Sequence, residues 1–301
     1  MAIPDRPMSD LSHPLHPISG QTQLLGVIGD PVSHSFSPAM HNAAIAALGL
    51  DYVYLPLPVA ADQLAAAIAG FTAINLVGFN ITIPHKQAVM AHLADISPAA
   101  QAVGAVNTVW RTATGWAGTN TDVIGFLAPL QARSLVWDNL TVVVLGNGGA
   151  ARAVVAGCAA QGCARIHVVG RNVAKLQTFA ESWAGAPWPL PLQVHDFAGL
   201  DAVLPQAGLI VNTTPVGMSP RVEASPLTDR QVGLLPTTAI AYDLIYNPSP
   251  TQLLKQAATR GLVAIDGAEM LINQGAAALE IWLNQPVPIA TMRHALHAQL
   301  G

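Results

Sequence analysis

The chain has 301 residues, 51% of them hydrophobic and only 10% charged, a globular composition with room for two domains and a large core. A net charge of −4 and a pI near 6.2 leave no basic surface, which excludes nucleic acid and anionic membrane as expected partners. Mean hydropathy is +0.41, yet no apolar stretch reaches the ~20 clean residues a membrane span needs. The longest of interest, 64–79, is cut by Gly70, Thr72 and Asn75.

Residues 1–20 are proline-rich, with neither a basic n-region nor an apolar core, and are expected to form a loose extension without targeting value. From residue 23 short β-rich runs alternate with helical patterns, the signature of an α/β architecture built largely on parallel strands. In chain order the patterns predict a strand at 24–28, a helix at 38–48, a strand at 51–56 and a helix at 62–69. A strand at 77–83 follows, closed by Pro84, then helices near 87–93 and 98–103 and a strand at 107–111. A helix at 123–131 joins this series to a second. Strands are predicted there at 140–145, 165–169, 190–195, 209–212, 239–244 and 262–265, with helices notably at 150–160 and 173–183. Two helices, 268–283 and 289–300, close the chain. Cys158 and Cys163, the only cysteines, are too few for a disulfide framework and lack metal-ligand spacing, so a reducing, cytoplasmic compartment and no metal are expected.

The strongest local signal lies at residues 141–153. A run of β-branched residues leads into Gly146, Asn147, Gly148 and Gly149 and then into an alanine-rich helix beginning with Ala150. Gly146 permits a tight turn, Gly148 lets a pyrophosphate approach the backbone, and the small residues at 149, 151 and 153 let the helix lie close to its strand. The helix amino terminus then offers free N–H groups to phosphate. About 20 residues on, an acidic residue would mark NAD. The sequence has Arg171 instead, followed by Asn172 and, one turn later, Lys175. A guanidinium there clamps a 2′-phosphate and favours NADP, the alternative being a solvated surface arginine.

Three polar clusters in the first half are unusual for scaffolding. In 29–42, Ser37 before Pro38 reads as a helix N-cap, which leaves Ser35 unexplained; two hydroxyls beside a helix start also form a carboxylate cradle. In 80–86, strand alternation places Asn80 and Thr82 on one face with Lys86 just beyond. If Lys86 opens the next helix, the dipole disfavours its charge, as suits an acid or base; a solvated lysine is the alternative. In 107–125, Asp122 reads either as a helix N-cap or as the partner of Lys86. Gln274 falls on a helical stripe with Met270, Ala277 and Ile281, a polar group either satisfied in the core or turned to a ligand. His34, His41 and His85 lack metal-ligand spacing and read as surface or core residues.

Taken in order, segments 29–42, 80–86, 104–108, 118–125, 146–153, 212–218, 242–248 and 267–282 resemble the shikimate dehydrogenases, over nearly the whole chain from residue 21. The resemblance implies reversible NADPH-linked reduction of 3-dehydroshikimate to shikimate, on the route to aromatic amino acids. It implies two α/β domains with the active site between them: a discontinuous substrate domain, 21–122 plus 266–301, and a Rossmann-type NADP domain, 123–265. By resemblance, Lys86 is the general acid/base and Asp122 its partner. Ser35, Ser37 and Tyr246 would take the substrate carboxylate, and Thr82, Asn107, Asp122 and Gln274 the ring hydroxyls. Gly146, Asn147, Gly148, Gly149, Ala150, Arg171, Asn172 and Lys175 would bind NADP, with Thr213, Met218, Leu244 and Gly267 on the nicotinamide side. The family's usual Asn-Arg-Thr is here Gly170, Arg171 and Asn172. Two rival readings are a quinate/shikimate dehydrogenase using NAD, which Arg171 opposes, and a non-catalytic NADP-binding protein, which would not need Lys86 and Asp122. A monomer or homodimer is expected.

Overall fold

Two six-stranded sheets account for the two α/β series. In the computed structural model, residues 18–131, 133, 135–186 and 190–300 are described; residues 1–17, most of the expected extension, lie outside them. Strands β1 (Gln23–Gly29), β2 (Tyr52–Pro58), β3 (Gly78–Ile81), β4 (Asp95–Ile96), β5 (Thr108–Thr112) and β6 (Gly115–Thr119) form the first sheet, in the order β2-β1-β3-β5-β6-β4. The β1–β2, β1–β3 and β4–β6 pairings are parallel, and β5 runs antiparallel to both neighbours.

Strands β7 (Thr141–Leu145), β8 (Arg165–Val169), β9 (Leu192–His195), β10 (Leu209–Asn212), β11 (Ile240–Asp243) and β12 (Val263–Ile265) form the second sheet. Its order is β12-β11-β10-β7-β8-β9, and every pairing is parallel. Helices cover both faces, so β7 and β10 are buried along their whole length and read as unbroken apolar runs rather than alternating ones. The strand order reverses between β7 and β10. Ligands of such sheets bind at that crevice, outside the carboxyl ends of the strands.

The closing helices α10 (Ala268–Leu283) and α11 (Ile289–Leu300) return to the first sheet. Ile272, Leu279, Met292 and Leu296 share a core with Leu25, Val27, Met40 and Tyr54. Trp282 Nε1 donates to the Val109 carbonyl at 2.9 Å, and its indole occupies the space that a side chain at Gly78 would need. Helix α4 (Asp122–Gln131) runs between the sheets. A Cβ at Gly125 would stand 2.5 Å from the Met270 carbonyl, so only glycine lets α4 lie this close to α10.

Several sequence expectations need correction. Strand β3 ends at Ile81, before Thr82, so Thr82 follows the strand instead of sharing its face with Asn80. The expected helix near 87–93 is a short 3₁₀ turn, Ala88–His92, with Gln87 as its cap; Lys86 therefore opens no α-helix. Helix α1 (Ser37–Ala47) begins at Ser37 itself, capped by Phe36, and the Ser37 hydroxyl makes no capping bond. The helix expected at 173–183, α6 (Val173–Glu181), stops two residues earlier. Strands β4 and β6 lie outside the expected strands, while helices α8 (Asp229–Leu234) and α9 (Gln252–Thr259) fall between expected strands of the second series without an assigned range. Among the described residues no helix is long and apolar enough to cross a membrane, and both cysteines are free and buried.

Candidate active site

Lys86 and Asp122 meet where the two sheets face each other. Lys86 Nζ donates to Asp122 Oδ2 at 2.6 Å, with the lysine side chain 17% exposed and the carboxylate 6%. The aspartate is the first residue of α4 and so stands inside the helix instead of at its cap; its amide donates to Asn120 Oδ1 at 3.0 Å. Asn107 fixes the other carboxylate oxygen: its Nδ2 lies 2.8 Å from Asp122 Oδ1, 3.0 Å from Thr121 Oγ1 and 3.3 Å from Gln274 Oε1. Two amide protons serve three acceptors, and Gln274 holds the longest of these bonds. The Lys86 backbone is pinned too, its carbonyl accepting from the Val106 amide at 2.7 Å. A fixed ammonium beside an anchored carboxylate, reachable from the cleft, can deliver and recover a proton.

A deeper layer holds this pair. Asn80 Nδ2 donates to the Asn107 carbonyl and to Thr108 Oγ1, each at 3.1 Å, and Tyr54 donates to Asn80 Oδ1 at 2.7 Å. His41 stacks on Tyr54 with centroids 4.0 Å apart and donates from Nδ1 to the Ser37 carbonyl. Complete burial lowers the His41 pKa to about 4, so the ring is neutral. His41 and His85 are core residues and His34 is exposed. The structure describes no group of three or more metal-ligating side chains among the described residues.

Ser35 is half-buried and Ser37 7% exposed. The Ser37 amide donates to Ser35 Oγ at 3.3 Å, which turns the two hydroxyl-bearing residues into one loop. Tyr246, from the loop after β11, packs on Phe36 between them with centroids 5.8 Å apart; burial raises its phenol pKa. Thr82 lies against Gly29, where any Cβ would stand 2.3 Å from the threonine methyl. Gln274 is 8% exposed and faces the Asn107–Asp122 cluster, whereas Ile281, placed on the same stripe from the sequence, is 37% exposed.

Across the cleft, β7 runs into Gly146, which has φ +106°, and Gly148 caps helix α5 (Gly149–Ala160). Thr213 closes over Gly146 and donates to the Leu145 carbonyl at 2.7 Å. Space at Gly148 is open where a Cβ would stand, while a Cβ at Gly149 would be 3.4 Å from Lys86 Cδ, so the loop faces Lys86. An open backbone at a helix amino terminus fits a pyrophosphate. Arg171, Asn172 and Lys175 follow β8, all exposed. Asn172 caps α6 by accepting from the Lys175 amide at 2.9 Å, and none of the ion pairs among the described residues involves Arg171. Asn147 Oδ1 lies 3.4 Å from where a Gly170 side chain would begin. Gly267 approaches the Leu244 carbonyl so closely that a Cβ would sit 2.1 Å away, and Met218 is 42% exposed.

One buried acid escaped the sequence reading. Asp243, at the end of β11, is fully buried and accepts from Asn212 Nδ2, the Ile245 amide and Thr251 Oγ1. It ties together the segments that carry Thr213, Leu244 and Tyr246. Burial pushes its pKa up to about 6, aided by nearby Asp266, against three bonds that pull it down. An acid with a raised folded pKa gives stability that is complete below about 4 and lost as pH rises through 6. Its ionisation therefore costs on the order of 3 kcal/mol by neutral pH. We expect the melting temperature of Asp243→Asn to lack this decline relative to the parent between pH 4 and 7. Parallel melting curves for the two proteins would rule the titration out.

A parallel Rossmann sheet with a glycine loop, facing a second domain that presents a lysine–carboxylate pair in the cleft, defines a nicotinamide-dependent oxidoreductase. The family model described as the shikimate dehydrogenase substrate binding domain matches residues 27–109. Those described as shikimate / quinate 5-dehydrogenase and as the shikimate 5'-dehydrogenase C-terminal domain match 130–229 and 267–297. Shikimate dehydrogenase (NADP(+)) of Microcystis aeruginosa is 59% identical over 94% of this chain and 99% of its own. A crystal structure of a shikimate dehydrogenase in complex with NADP+ superposes with TM-score 0.86 at 37% identity, covering 95% of this chain and 98% of that one. The Thermus thermophilus enzyme in complex with NADP(H) and shikimate does so with TM-score 0.81 at 34% identity, covering 92% and 99%. The chain belongs to the shikimate dehydrogenase family.

Proposed function

We infer that the protein catalyses the reversible NADPH-dependent reduction of 3-dehydroshikimate to shikimate, a step of aromatic biosynthesis. The observation that carries this reading is the 2.6 Å Lys86–Asp122 pair set opposite the glycine loop. NADPH, when bound, supplies the hydride. Lys86 donates the proton that the C3 oxygen needs on becoming a hydroxyl, and recovers it in the reverse direction. Asp122 anchors the ammonium through one oxygen and accepts a ring hydroxyl. Asn107, Thr82 and Gln274 hold the remaining hydroxyls, with Gln274 free to exchange its weak bond to Asn107 for one to substrate. Ser35, Ser37 and Tyr246 take the carboxylate. An analogue lacking a hydroxyl leaves these buried groups unpaired and is rejected.

Gly146, Asn147, Gly148, Gly149 and Ala150 would hold the pyrophosphate, and Arg171, Asn172 and Lys175 the 2′-phosphate. Thr213, Met218, Leu244 and Gly267 would line the nicotinamide side. We place the domain boundaries at 21–122 plus 266–301 and at 123–265, in keeping with the return of α10 and α11 to the first core.

Absorbance at 340 nm tests the reading. Purified protein with shikimate and NADP+ is expected to generate NADPH rapidly, with little reaction when quinate replaces shikimate or NAD+ replaces NADP+. Comparable rates with quinate and NAD+ would make it a dual-specificity enzyme, and no reduction in any combination would leave a non-catalytic NADP-binding protein.

A further inference from the structure

Arg152 is the only charged residue of α5, and it is 6% exposed. Its amide donates to the Gly148 carbonyl at 3.2 Å, which places it in the first turn after the phosphate loop. The side chain runs the other way. Nε donates to the Val103 carbonyl at 2.5 Å, and one terminal nitrogen donates to Ser182 Oγ at 2.8 Å. The guanidinium carbon lies 5.4 Å from the Phe179 ring centroid and 5.0 Å from that of Trp183. Its other terminal nitrogen fills the space beside Gly104, where a Cβ would stand 2.4 Å away and where φ is +67°. The guanidinium therefore joins the end of helix α3 (Pro98–Val103), on the substrate side, to the end of α6 on the cofactor side.

This placement is costly. A cation in the first turn of a helix opposes the dipole, and burial disfavours its charge. Among the described residues no carboxylate pairs with it. An apolar residue would fill the same space without that penalty, but it would not bind the Val103 carbonyl and Ser182 while packing on two rings. From Gly104 the chain passes directly to the catalytic pair. The Val106 amide holds the Lys86 carbonyl, and Asn107 holds Asp122. One short covalent stretch thus lies between the arginine and both groups.

We propose that Arg152 is a positioning residue that couples the cofactor phosphate loop to the Lys86–Asp122 pair, so that NADP and substrate strengthen each other's binding across the cleft. The proposal rests on the roles given to Lys86 and Asp122 above. Coupling between two binding sites is reciprocal and is read as the ratio of cofactor dissociation constants without and with substrate.

Calorimetric titration of the full chain with NADP+, alone and with saturating 3-dehydroshikimate, measures that ratio on a pair that cannot react. The parent is expected to give a ratio of ~5 or more, within the range usual for coupled sites. Arg152→Lys keeps the charge but loses the fork, and Arg152→Met loses both. Each should bring the ratio to within about twofold of one and lower kcat by ~10-fold, with 3-dehydroshikimate affinity alone little changed. Ser182→Ala, a small change remote from both ligands, should lower the ratio at least about twofold and serves if the Arg152 variants do not fold. A parental ratio of one, or a parental ratio retained in Arg152→Lys, overturns the proposal. So does a variant that loses only thermal stability, and so does an unchanged ratio in Ser182→Ala where neither Arg152 variant folds. A Lys86→Ala protein with normal kcat would remove the assignment of Lys86 and leave the ratio readable, which separates the two failures.

Discussion

Lys86→Ala is expected to lower kcat by at least ~100-fold with little change in the KM for shikimate, the scale of a lost general acid or base. Three features set that size. The ammonium is the one cation within hydrogen-bond reach of Asp122 among the described residues. Both its side chain and its backbone carbonyl are anchored, which fixes where the ammonium stands. Removing it also leaves the Asp122 carboxylate, 6% exposed, with no counter-charge and only neutral donors around it among the described residues. Lys86→Arg separates the two contributions. A guanidinium keeps the pairing charge but does not release a proton at working pH, so stability should survive while kcat falls. Asp122→Asn should lower kcat as well and raise KM, since it frees the ammonium and removes the acceptor proposed for a ring hydroxyl. Steady-state kinetics in the shikimate-oxidising direction, with melting temperatures alongside, decide the matter. Near-normal kcat in Lys86→Ala would take the lysine out of the chemistry.

Arg171→Ala is expected to raise the KM for NADP+ by ~10- to 100-fold and to leave that for NAD+ nearly unchanged, because the proposed charge-assisted bonds need the 2′-phosphate that only NADP+ carries. Arg171 stands at the turn after β8, where an acidic residue would hold a ribose hydroxyl, and it is exposed with no ion-pair partner among the described residues. Arg171→Asp should go further, repelling the phosphate and accepting from the hydroxyl. The parent's preference for NADP+ should also weaken as ionic strength rises, since an exposed arginine is screened. Equal NADP+ affinity in parent and Arg171→Ala would make Arg171 a surface residue and leave the phosphate to Lys175 or Asn172.

The cofactor half of the site is legible in the sequence because its signals are local. A strand, a glycine turn and a helix start lie within 13 residues, and each element forms from neighbouring residues. The same holds for Arg171, whose place after the next strand follows from counting. Gln274 also stands out in the sequence as a polar residue on an apolar stripe, though Ile281, seven residues on in the same stripe, is 37% exposed.

Other features depended on partners far along the chain. The short strand β6 carries two glycines and is defined by pairing with β5 and β4, so no local pattern announces it. Ser37 and Lys86 were each tied to an expected helix start; one helix begins a residue early and the other is a short 3₁₀ turn. Asp243 ends an apolar strand and Arg152 interrupts an apolar helix. An isolated charge in such a run was the available signal for both, but only their surroundings show what they hold.

By itself, then, the sequence determined two α/β series, the phosphate loop and the residues able to carry the chemistry, since periodicity, turns and caps are properties of adjacent residues. Only the tertiary structure decided that Lys86, Asn107, Asp122 and Gln274 share one site. They come from four separate segments, brought together by β3, β5 and β6 pairing and by α10 lying on α4 at Gly125. Such contacts depend on the closure of long loops and on packing between helices, and no single segment of chain encodes either.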